Sequence, residues 1–302
     1  MPICLPPVSR RQFLRQAAGA AAALALSPAC AHAPGRPQTW ALLSDIHIAA
    51  DPRTICKDVN MTDNLRRVTQ EVLAWNEHPA GVFINGDLAF QEGDLSDYQA
   101  VGGLLQPLRA GGLPLCLALG NHDNREHFWE TLRADESTPP GLANRQVEII
   151  PGRTANWFVL DSLIKTKEAP GLLGPAQRTW LAQALDAHRD KPAIVLTHHQ
   201  PDPGVGQPSN PLQDTAATLE ILRPRRHVKA WLFGHTHRWG TYEDPSGLHL
   251  INLPPVAYLF DKGPPNGWVQ ATVGAAGMKL ELRCLDRTRA DHGQVFPLSW
   301  RV

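Results

Sequence analysis

Five apolar stretches of this chain run directly into an Asp or a His. They are Leu42–His47 (LLSDIH), Val82–Leu88 (VFINGDL), Leu117–Asp123 (LALGNHD), Ala193–His199 (AIVLTHH) and Ala230–His237 (AWLFGHTH). A short, continuous apolar run is typical of a buried strand. A buried strand that stops at polar residues delivers their side chains to the rim of a sheet, where loops carry chemistry. The pattern therefore predicts several strands whose ends share one functional rim.

Between these strands, apolar residues recur at helical spacing. In Thr62–Asn76 they fall at Leu65, Val68, Val72 and Leu73, with Thr62 as the expected N-cap. Further helices are predicted at Leu95–Arg109, Arg125–Arg133, Pro175–His188 and Leu212–Leu222, and further short strands at Gln146–Ile150, Asn156–Asp161, Thr241–Glu243, Leu248–Asn252, Trp268–Val273 and Lys279–Leu285. This alternation, with a strand-rich end, predicts an α/β fold with helices packed around two sheets.

The first residues have the layout of an export signal. Arg10-Arg11 precede Phe13-Leu14, an Ala-rich apolar run follows at Ala17–Leu26, and Ala31-His32-Ala33 is an A-x-A-like cleavage site. The arginine pair resembles a twin-arginine export signal. The apolar run is shorter than the roughly 20 residues that a membrane span needs.

We therefore predict a signal peptide at 1–33, a linker at 34–38 and one domain at 39–302. The expected partner of the signal is the twin-arginine export machinery, and the expected location is periplasmic or extracellular, with no transmembrane span in the mature chain. Ser27-Pro28-Ala29-Cys30 is a weak lipoprotein-type site. Lipid anchoring through Cys30 is therefore an alternative, although Pro28 favours simple cleavage after Ala33.

The charge composition does not favour binding to nucleic acid or acidic lipid. Lys and Arg together number 29, as do Asp and Glu. Cleavage after Ala33 removes three arginines and no acid, which leaves a net charge of −3. The cysteines that remain are Cys56, Cys116 and Cys284, an odd, sparse set that does not form a disulfide framework.

Asp, His and Asn at the strand ends form a plausible set of metal ligands. Carboxylate, imidazole and amide oxygen together suit divalent ions such as Mn, Fe, Zn, Co or Ni. The set is too large for one ion, and a shared carboxylate can bridge two ions roughly 3.5–4 Å apart. Asp-x-His at Asp45-His47 and His-x-His at His235-His237 are spaced as alternate residues, which share one face of an extended segment.

The ordered motifs D-x-H, G-D, G-N-H-D, H and G-H-x-H resemble the calcineurin-like metallophosphoesterase superfamily, from Asp45 to His237. The resemblance implies a four-layer αββα sandwich of two mixed sheets flanked by helices, with two divalent metal ions at the strand ends. It implies that a metal-activated hydroxide hydrolyses the phosphoester. The implied ligands of the first ion are Asp45, His47, Asp87 and His237; those of the second are Asn121, His198 and His235, with Asp87 bridging.

The resemblance also implies two catalytic residues. His122 is expected beside the phosphate, as proton donor to the leaving group or as a stabiliser of transition-state charge. Asp123 is expected to orient His122 through a hydrogen bond. His199 is expected near the site without binding metal, and Arg125 could pair with a phosphate or with an acid of the fold.

Departures from the family pattern concern the substrate. Gln200-Pro201 stands where the family often has Pro-Pro, and Asn124-Arg125 after the GNHD motif looks like the branch of cyclic-nucleotide and glycerol phosphodiesterases. We therefore expect hydrolysis of small-molecule phosphodiesters. Phosphomonoester hydrolysis, a nuclease, or a partner-binding scaffold that has lost catalysis are the alternatives.

Overall fold

The computed structural model of the chain describes residues 36–132, 141–202 and 210–302. The predicted signal peptide and the first two residues of the predicted linker lie outside these ranges. The strands are β1 (Gln38–Leu43), β2 (Ile55–Cys56), β3 (Val59–Asn60), β4 (Val82–Asn85), β5 (Leu115–Ala118), β6 (Glu148–Pro151), β7 (Asn156–Val159), β8 (Ala193–Leu196), β9 (Val228–Phe233), β10 (Gly240–Glu243), β11 (His249–Asn252), β12 (Gly267–Val273), β13 (Gly277–Cys284) and β14 (Val295–Ser299). The helices are α1 (Met61–Leu73), α2 (Leu95–Ala110), α3 (Arg125–Leu132), α4 (Gly174–Ala187) and α5 (Thr215–Leu222).

Two six-stranded mixed sheets form the centre of the molecule. The first has the order β14-β13-β12-β1-β4-β5, with β1, β4 and β5 parallel and the other pairs antiparallel. The second has the order β10-β11-β9-β8-β7-β6, in which β11, β9, β8 and β7 are parallel and the two outer strands are antiparallel. Parallel strands bring their carboxyl ends to one edge of a sheet, so each sheet has a rim that can hold a site.

The buried apolar residues form three separate cores, because side chains along each strand alternate between the two faces of its sheet. Phe83 of β4 and Ile194 of β8 pack in the core between the two sheets. Their neighbours point the other way: Ile84 packs with α1, α2 and α3, and Val195 packs with α4 and α5. Since successive strand residues face opposite sides of a sheet, the three cores define four layers. The predicted αββα sandwich is confirmed.

The segment between the first predicted strand and the first predicted helix contains a small hairpin that the sequence pattern does not predict. Strands β2 and β3 pair antiparallel around Lys57 and Asp58, whose φ angles are 48° and 63°. This pair of left-handed residues makes a tight hairpin turn, but the Lys-Asp dipeptide lacks the usual Asn-Gly or Asp-Gly signal. The start of α1 also differs from the prediction. Its N-cap is Asn60, whose Oδ1 accepts the Asp63 N–H at 2.9 Å, and not Thr62.

The last strand, β14, is a second element absent from the sequence prediction. It lies at the edge of the first sheet and contains Pro297. Proline is tolerated on an edge strand because its missing N–H can face away from the ladder. Within the described ranges, no helix combines the length and apolarity that crossing a bilayer requires.

Candidate metal centre

Five strand ends gather the residues expected at the site. Asp45 and His47 follow β1, Asp87 follows β4, Asn121 follows β5, His198 follows β8, and His235 and His237 follow β9. Ligand atoms of Asp45, His47, Asp87 and His237 all lie within 4.8 Å of one another. Those of Asp87, His198 and His235 form a second such group, so Asp87 is shared. The sequence motifs implied these residues, together with Asn121, as the ligands of two ions.

The backbone at these strand ends is unusual. Asp45, His47, Asp87, His235 and His237 all have positive φ angles, between 44° and 65°. Residues other than glycine seldom adopt this left-handed region, although Asp and His tolerate it better than most. Such conformations cost free energy and persist at sites where the surrounding fold over-determines them. The left-handed turns at both rims therefore direct these five side chains toward the two ligand groups.

Backbone carbonyls fix the orientation of three imidazoles. The Nδ1 atoms of His47, His198 and His237 lie 3.2, 2.8 and 2.6 Å from the carbonyl oxygens of Phe90, Asn85 and Tyr258, respectively. Donation of the Nδ1 proton to a carbonyl leaves Nε2 free to bind a metal.

The Nε2 atoms of these rings do face the carboxylates. His47 Nε2 and His198 Nε2 lie 3.5 and 3.3 Å from Asp87 Oδ2, and His237 Nε2 lies 3.4 Å from Asp45 Oδ1. Carboxylate oxygens and imidazole nitrogens thus enclose a common centre, as a metal site requires.

Burial sets the charge state of most of the imidazoles. It lowers the pKa of His47 and His237, and it lowers the pKa of His235 to about 3. These rings are therefore neutral at pH 7, the form that binds metal. At His198, burial also lowers the pKa, but Asp87 and Asp45 outweigh it and raise the pKa to about 10. The two carboxylates thus favour a positive charge at this position. A bound divalent cation would supply that charge in place of the proton on His198.

Asn121 provides an independent test of whether the residues fit metal ions. Its Oδ1 is buried and accepts no hydrogen bond from any residue that the structure describes. A buried amide oxygen without a donor is costly, and a cation is a partner that removes this cost. Together with the carboxylates and imidazoles, this oxygen completes a donor set that suits two divalent ions.

His122 lies at the edge of the cluster. Its backbone N–H donates to Asp87 Oδ1 at 2.9 Å, and its ring centroid lies 4.9 Å from that of His47. Its Nδ1 lies 3.1 Å from the carbonyl oxygen of Gln91. The ring is therefore held by the loop after β4, with Nε2 on the opposite side.

The expectation that Asp123 orients His122 is wrong. The buried Asp123 carboxylate accepts the N–H groups of Gly120 at 2.8 Å and of Leu88 and Ala89 at 3.1 Å, and the Tyr98 hydroxyl at 3.0 Å. Its role is to hold the turn after β4 against the turn after β5, and Gln91 orients His122 instead.

Two neighbouring residues that the sequence left open have clear contacts. Arg125 pairs with an acid of the fold: its Nε and a terminal nitrogen lie 2.6 and 2.8 Å from the Asp161 carboxylate oxygens. His199 is buried outside both ligand groups, with Nδ1 2.8 Å from the Ser162 hydroxyl and its ring 4.7 Å from that of His235.

Sequence reasoning missed the aromatic side chains that cover the first ligand group. Tyr258 stacks on His47 with ring centroids 5.0 Å apart, and Phe260 stacks on His237 at 4.1 Å. Both lie in a proline-rich loop that offered no spacing signal. The ligands open into a cavity of about 330 Å³. It is lined by Asp87, Asn121, His122, Ala169, Gln200, Asn210, His235, Thr236, His237 and Phe260.

Comparison with known proteins agrees with this geometry. Residues 39–239 match the family described as calcineurin-like phosphoesterase. The 3',5'-cyclic adenosine monophosphate phosphodiesterase CpdA of Pseudomonas aeruginosa is 30% identical over 226 residues, covering 73% of this chain and 77% of the relative. The glycerophosphodiester phosphodiesterase GpdQ of Enterobacter lignolyticus is 29% identical over 249 residues, covering 77% and 86%. A dimetal phosphatase from Danio rerio shares the fold, with a TM-score of 0.71 at 16% identity, covering 88% of this chain and all of that one.

Proposed function

This chain belongs to the calcineurin-like phosphoesterase family, and from that premise we propose that it hydrolyses small-molecule phosphodiesters with two divalent metal ions. The observation that carries the proposal is the shared position of Asp87 in two ligand groups, whose members are buried except for the half-buried His235. Two relatives named as phosphodiesterases support the diester over the monoester. A cavity of about 330 Å³ has the size of a small-molecule site.

We assign the first ion to Asp45, His47, Asp87 and His237, and the second to Asp87, Asn121, His198 and His235. When bound, two such ions polarise the phosphate and lower the pKa of water. The chain itself fixes the direction of His47, His198 and His237 through backbone carbonyls, and it shares one carboxylate between the two positions.

We assign His122 to the leaving group. Because the Gln91 carbonyl lies at Nδ1, His122 can give a proton from Nε2 only as the imidazolium. In that form it can donate to the departing oxygen or stabilise its negative charge. The other expected catalytic residue, Asp123, has no direct role in this scheme, since its carboxylate is occupied by backbone N–H groups.

The test is hydrolysis of bis(p-nitrophenyl) phosphate by the purified protein. We expect activity that EDTA abolishes and Mn²⁺ restores. An Asp87→Asn variant should lose activity and metal, whereas His122→Ala should keep both ions and lose roughly 100-fold or more in kcat. The exposed His78 supplies the control variant His78→Ala, which should remain fully active. Full activity in Asp87→Asn would overturn the metal assignment. Faster hydrolysis of p-nitrophenyl phosphate would favour a monoesterase, and plasmid nicking would favour a nuclease.

We also propose that the chain is exported by the twin-arginine machinery to the periplasm or the exterior. The proposal rests on Arg10-Arg11, the apolar run and the cleavage site, which lie outside the described residues. Replacing both arginines by lysine should retain the protein in the cytoplasm, whereas Arg15→Lys should not. Cell fractionation measures this. Loss of membrane association in a Cys30→Ala variant would favour the lipid-anchored alternative, and unchanged export of the double lysine variant would contradict the proposal.

A further inference from the structure

Gln200 is a buried polar side chain beside the metal ligands. It lies two residues after His198, is 4% exposed and lines the cavity at the metal centre. Neither its Oε1 nor its Nε2 makes a hydrogen bond to any residue within the described ranges. Its backbone, by contrast, is anchored, because the Gln200 carbonyl accepts the Leu212 N–H at 2.9 Å.

A buried carboxamide that lacks partners destabilises a protein. Each unsatisfied buried donor or acceptor costs desolvation free energy that an apolar side chain of the same size would not. The backbone bond to Leu212 needs no particular side chain, so the fold does not require glutamine here. The two polar atoms of this glutamine are covered and have no partner among the described residues. Its place at the cavity wall is therefore better explained by a ligand, which the carboxamide contacts when the side chain turns toward the cavity, than by packing.

We propose that the Gln200 carboxamide recognises the organic group of the phosphodiester, and that this group presents a hydrogen-bond donor and an acceptor side by side. A carboxamide offers one acceptor oxygen and an NH₂ donor, so it pairs with a complementary edge through two bonds. This inference rests on the proposed phosphodiesterase function, and it states which organic group the enzyme selects in its substrate.

Two kinds of phosphodiester carry such an edge. The first is an adenine nucleotide, because the amino group of adenine adjoins a ring nitrogen and pairs with glutamine through two hydrogen bonds. The second is a glycerol ester, whose neighbouring hydroxyls donate and accept. Both present the same chemistry to Gln200, and matched substrates distinguish them.

The experiment compares two substrate pairs in wild type and in Gln200→Leu. One pair is adenosine 3',5'-cyclic monophosphate and the purine riboside analogue that lacks the amino group. The other is glycerophosphocholine and the ethyl ester of phosphocholine, which lacks both hydroxyls. The wild type should prefer the first member of one pair by roughly 10- to 100-fold in kcat/KM. In Gln200→Leu the ratio should fall close to one, and the pair affected identifies the substrate.

Bis(p-nitrophenyl) phosphate is the reference substrate because it lacks an adjacent donor and acceptor. The rate of each variant on this substrate scales the comparison, so the ratio within each pair carries the test and not the absolute rate. The control Gln213→Leu, at an exposed position, should change neither ratio. No activity of the wild type on the reference substrate would overturn the proposed function. If the wild type hydrolyses the reference substrate, three results would overturn only the inference about Gln200. They are an unchanged ratio in Gln200→Leu, a ratio near one in wild type, and no hydrolysis of either pair.

Thermal unfolding gives a readout that separates recognition from structure. Removing an unsatisfied amide should leave the melting temperature of Gln200→Leu equal to or above that of wild type. A clearly lower melting temperature, with parallel losses on every substrate, would show that the amide supports the fold, and it would overturn the inference.

Discussion

At the scale of single residues, Gly120 shows how closely the metal centre is packed. A Cβ atom there would lie 2.2 Å from Asp87 Oδ1 and 2.7 Å from His198 Nε2. We therefore predict that Gly120→Ala displaces the shared carboxylate and lowers kcat by at least tenfold, with weaker metal binding. Activity on bis(p-nitrophenyl) phosphate and metal content of the purified variant measure this.

Gly103 is the matched control for Gly120. It lies within α2, and a Cβ there would meet no atom within 4 Å. Gly103→Ala should keep full activity and raise the free energy of unfolding by roughly 0.5–1 kcal/mol, because alanine favours the helix. Equal activity of the two alanine variants would contradict the tight packing at Gly120.

The contact between Arg125 and Asp161 leads to a second prediction at this scale. Asp161 is fully buried and the Arg125 side chain is only 16% exposed. Arg125→Ala leaves a buried carboxylate without its cation and should lower the free energy of unfolding by about 3 kcal/mol. The control is Arg53→Ala, since Arg53 pairs with Asp51 but is 88% exposed. Its removal should change stability little. Urea unfolding measures both, and equal effects would contradict the prediction.

The sequence could indicate which residues gather at the rims, because alternation and strand ends are local features. It could not indicate the partners of Asp123, whose four hydrogen-bond donors come from the turn after β4, the turn after β5 and α2. Adjacency in sequence suggested His122 as its partner, but the fold brings closer donors. That no described residue pairs with the Gln200 carboxamide is likewise a property of the folded surroundings alone.

At the scale of elements, the stability of the fold depends on aromatic side chains that pack between the two sheets. Phe83 of β4 lies 4.5 Å from Trp157 of β7 and 5.2 Å from Trp40 of β1, between ring centroids. Phe83→Ala opens a cavity at this contact between the sheets and should lower the free energy of unfolding by about 3–5 kcal/mol. The control Tyr242→Ala, on β10 and 57% exposed, should stay within about 0.5 kcal/mol of wild type. Denaturant unfolding measures both variants. A small effect of Phe83→Ala would contradict the prediction and would mean that the sheets repack around the cavity.

The elements that the sequence could not predict are those with weak local signals. Helix α1 and the central strands have strong periodicity, and their predicted positions agree with the structure to within a few residues. The β2–β3 hairpin and β14 depend on pairing with distant or atypical partners, and Pro297 argues locally against a strand. Tertiary pairing overrides propensity in these cases.

At the scale of the whole molecule, the metal centre joins the two sheets. Asp45 and Asp87 come from the first sheet, whereas His198, His235 and His237 come from the second. Ions bound here bind only the folded chain, since the ligand groups form when both sheets are in place. Each of the two ions stabilises the native state by about 2.7 kcal/mol at a free metal concentration of 100 times its Kd.

We therefore predict that chelation of both ions lowers the melting temperature by roughly 10–20 °C in a domain of this size. Asp87→Asn, which changes the shared ligand, should lose most of the difference between metal-loaded and chelated protein. His122→Ala should keep the whole difference although it is inactive, because His122 belongs to neither ligand group. Calorimetry with EDTA and with Mn²⁺ measures all three proteins. If His122→Ala lost the metal-dependent shift as Asp87→Asn does, His122 would be a ligand and its assignment to the leaving group would be wrong.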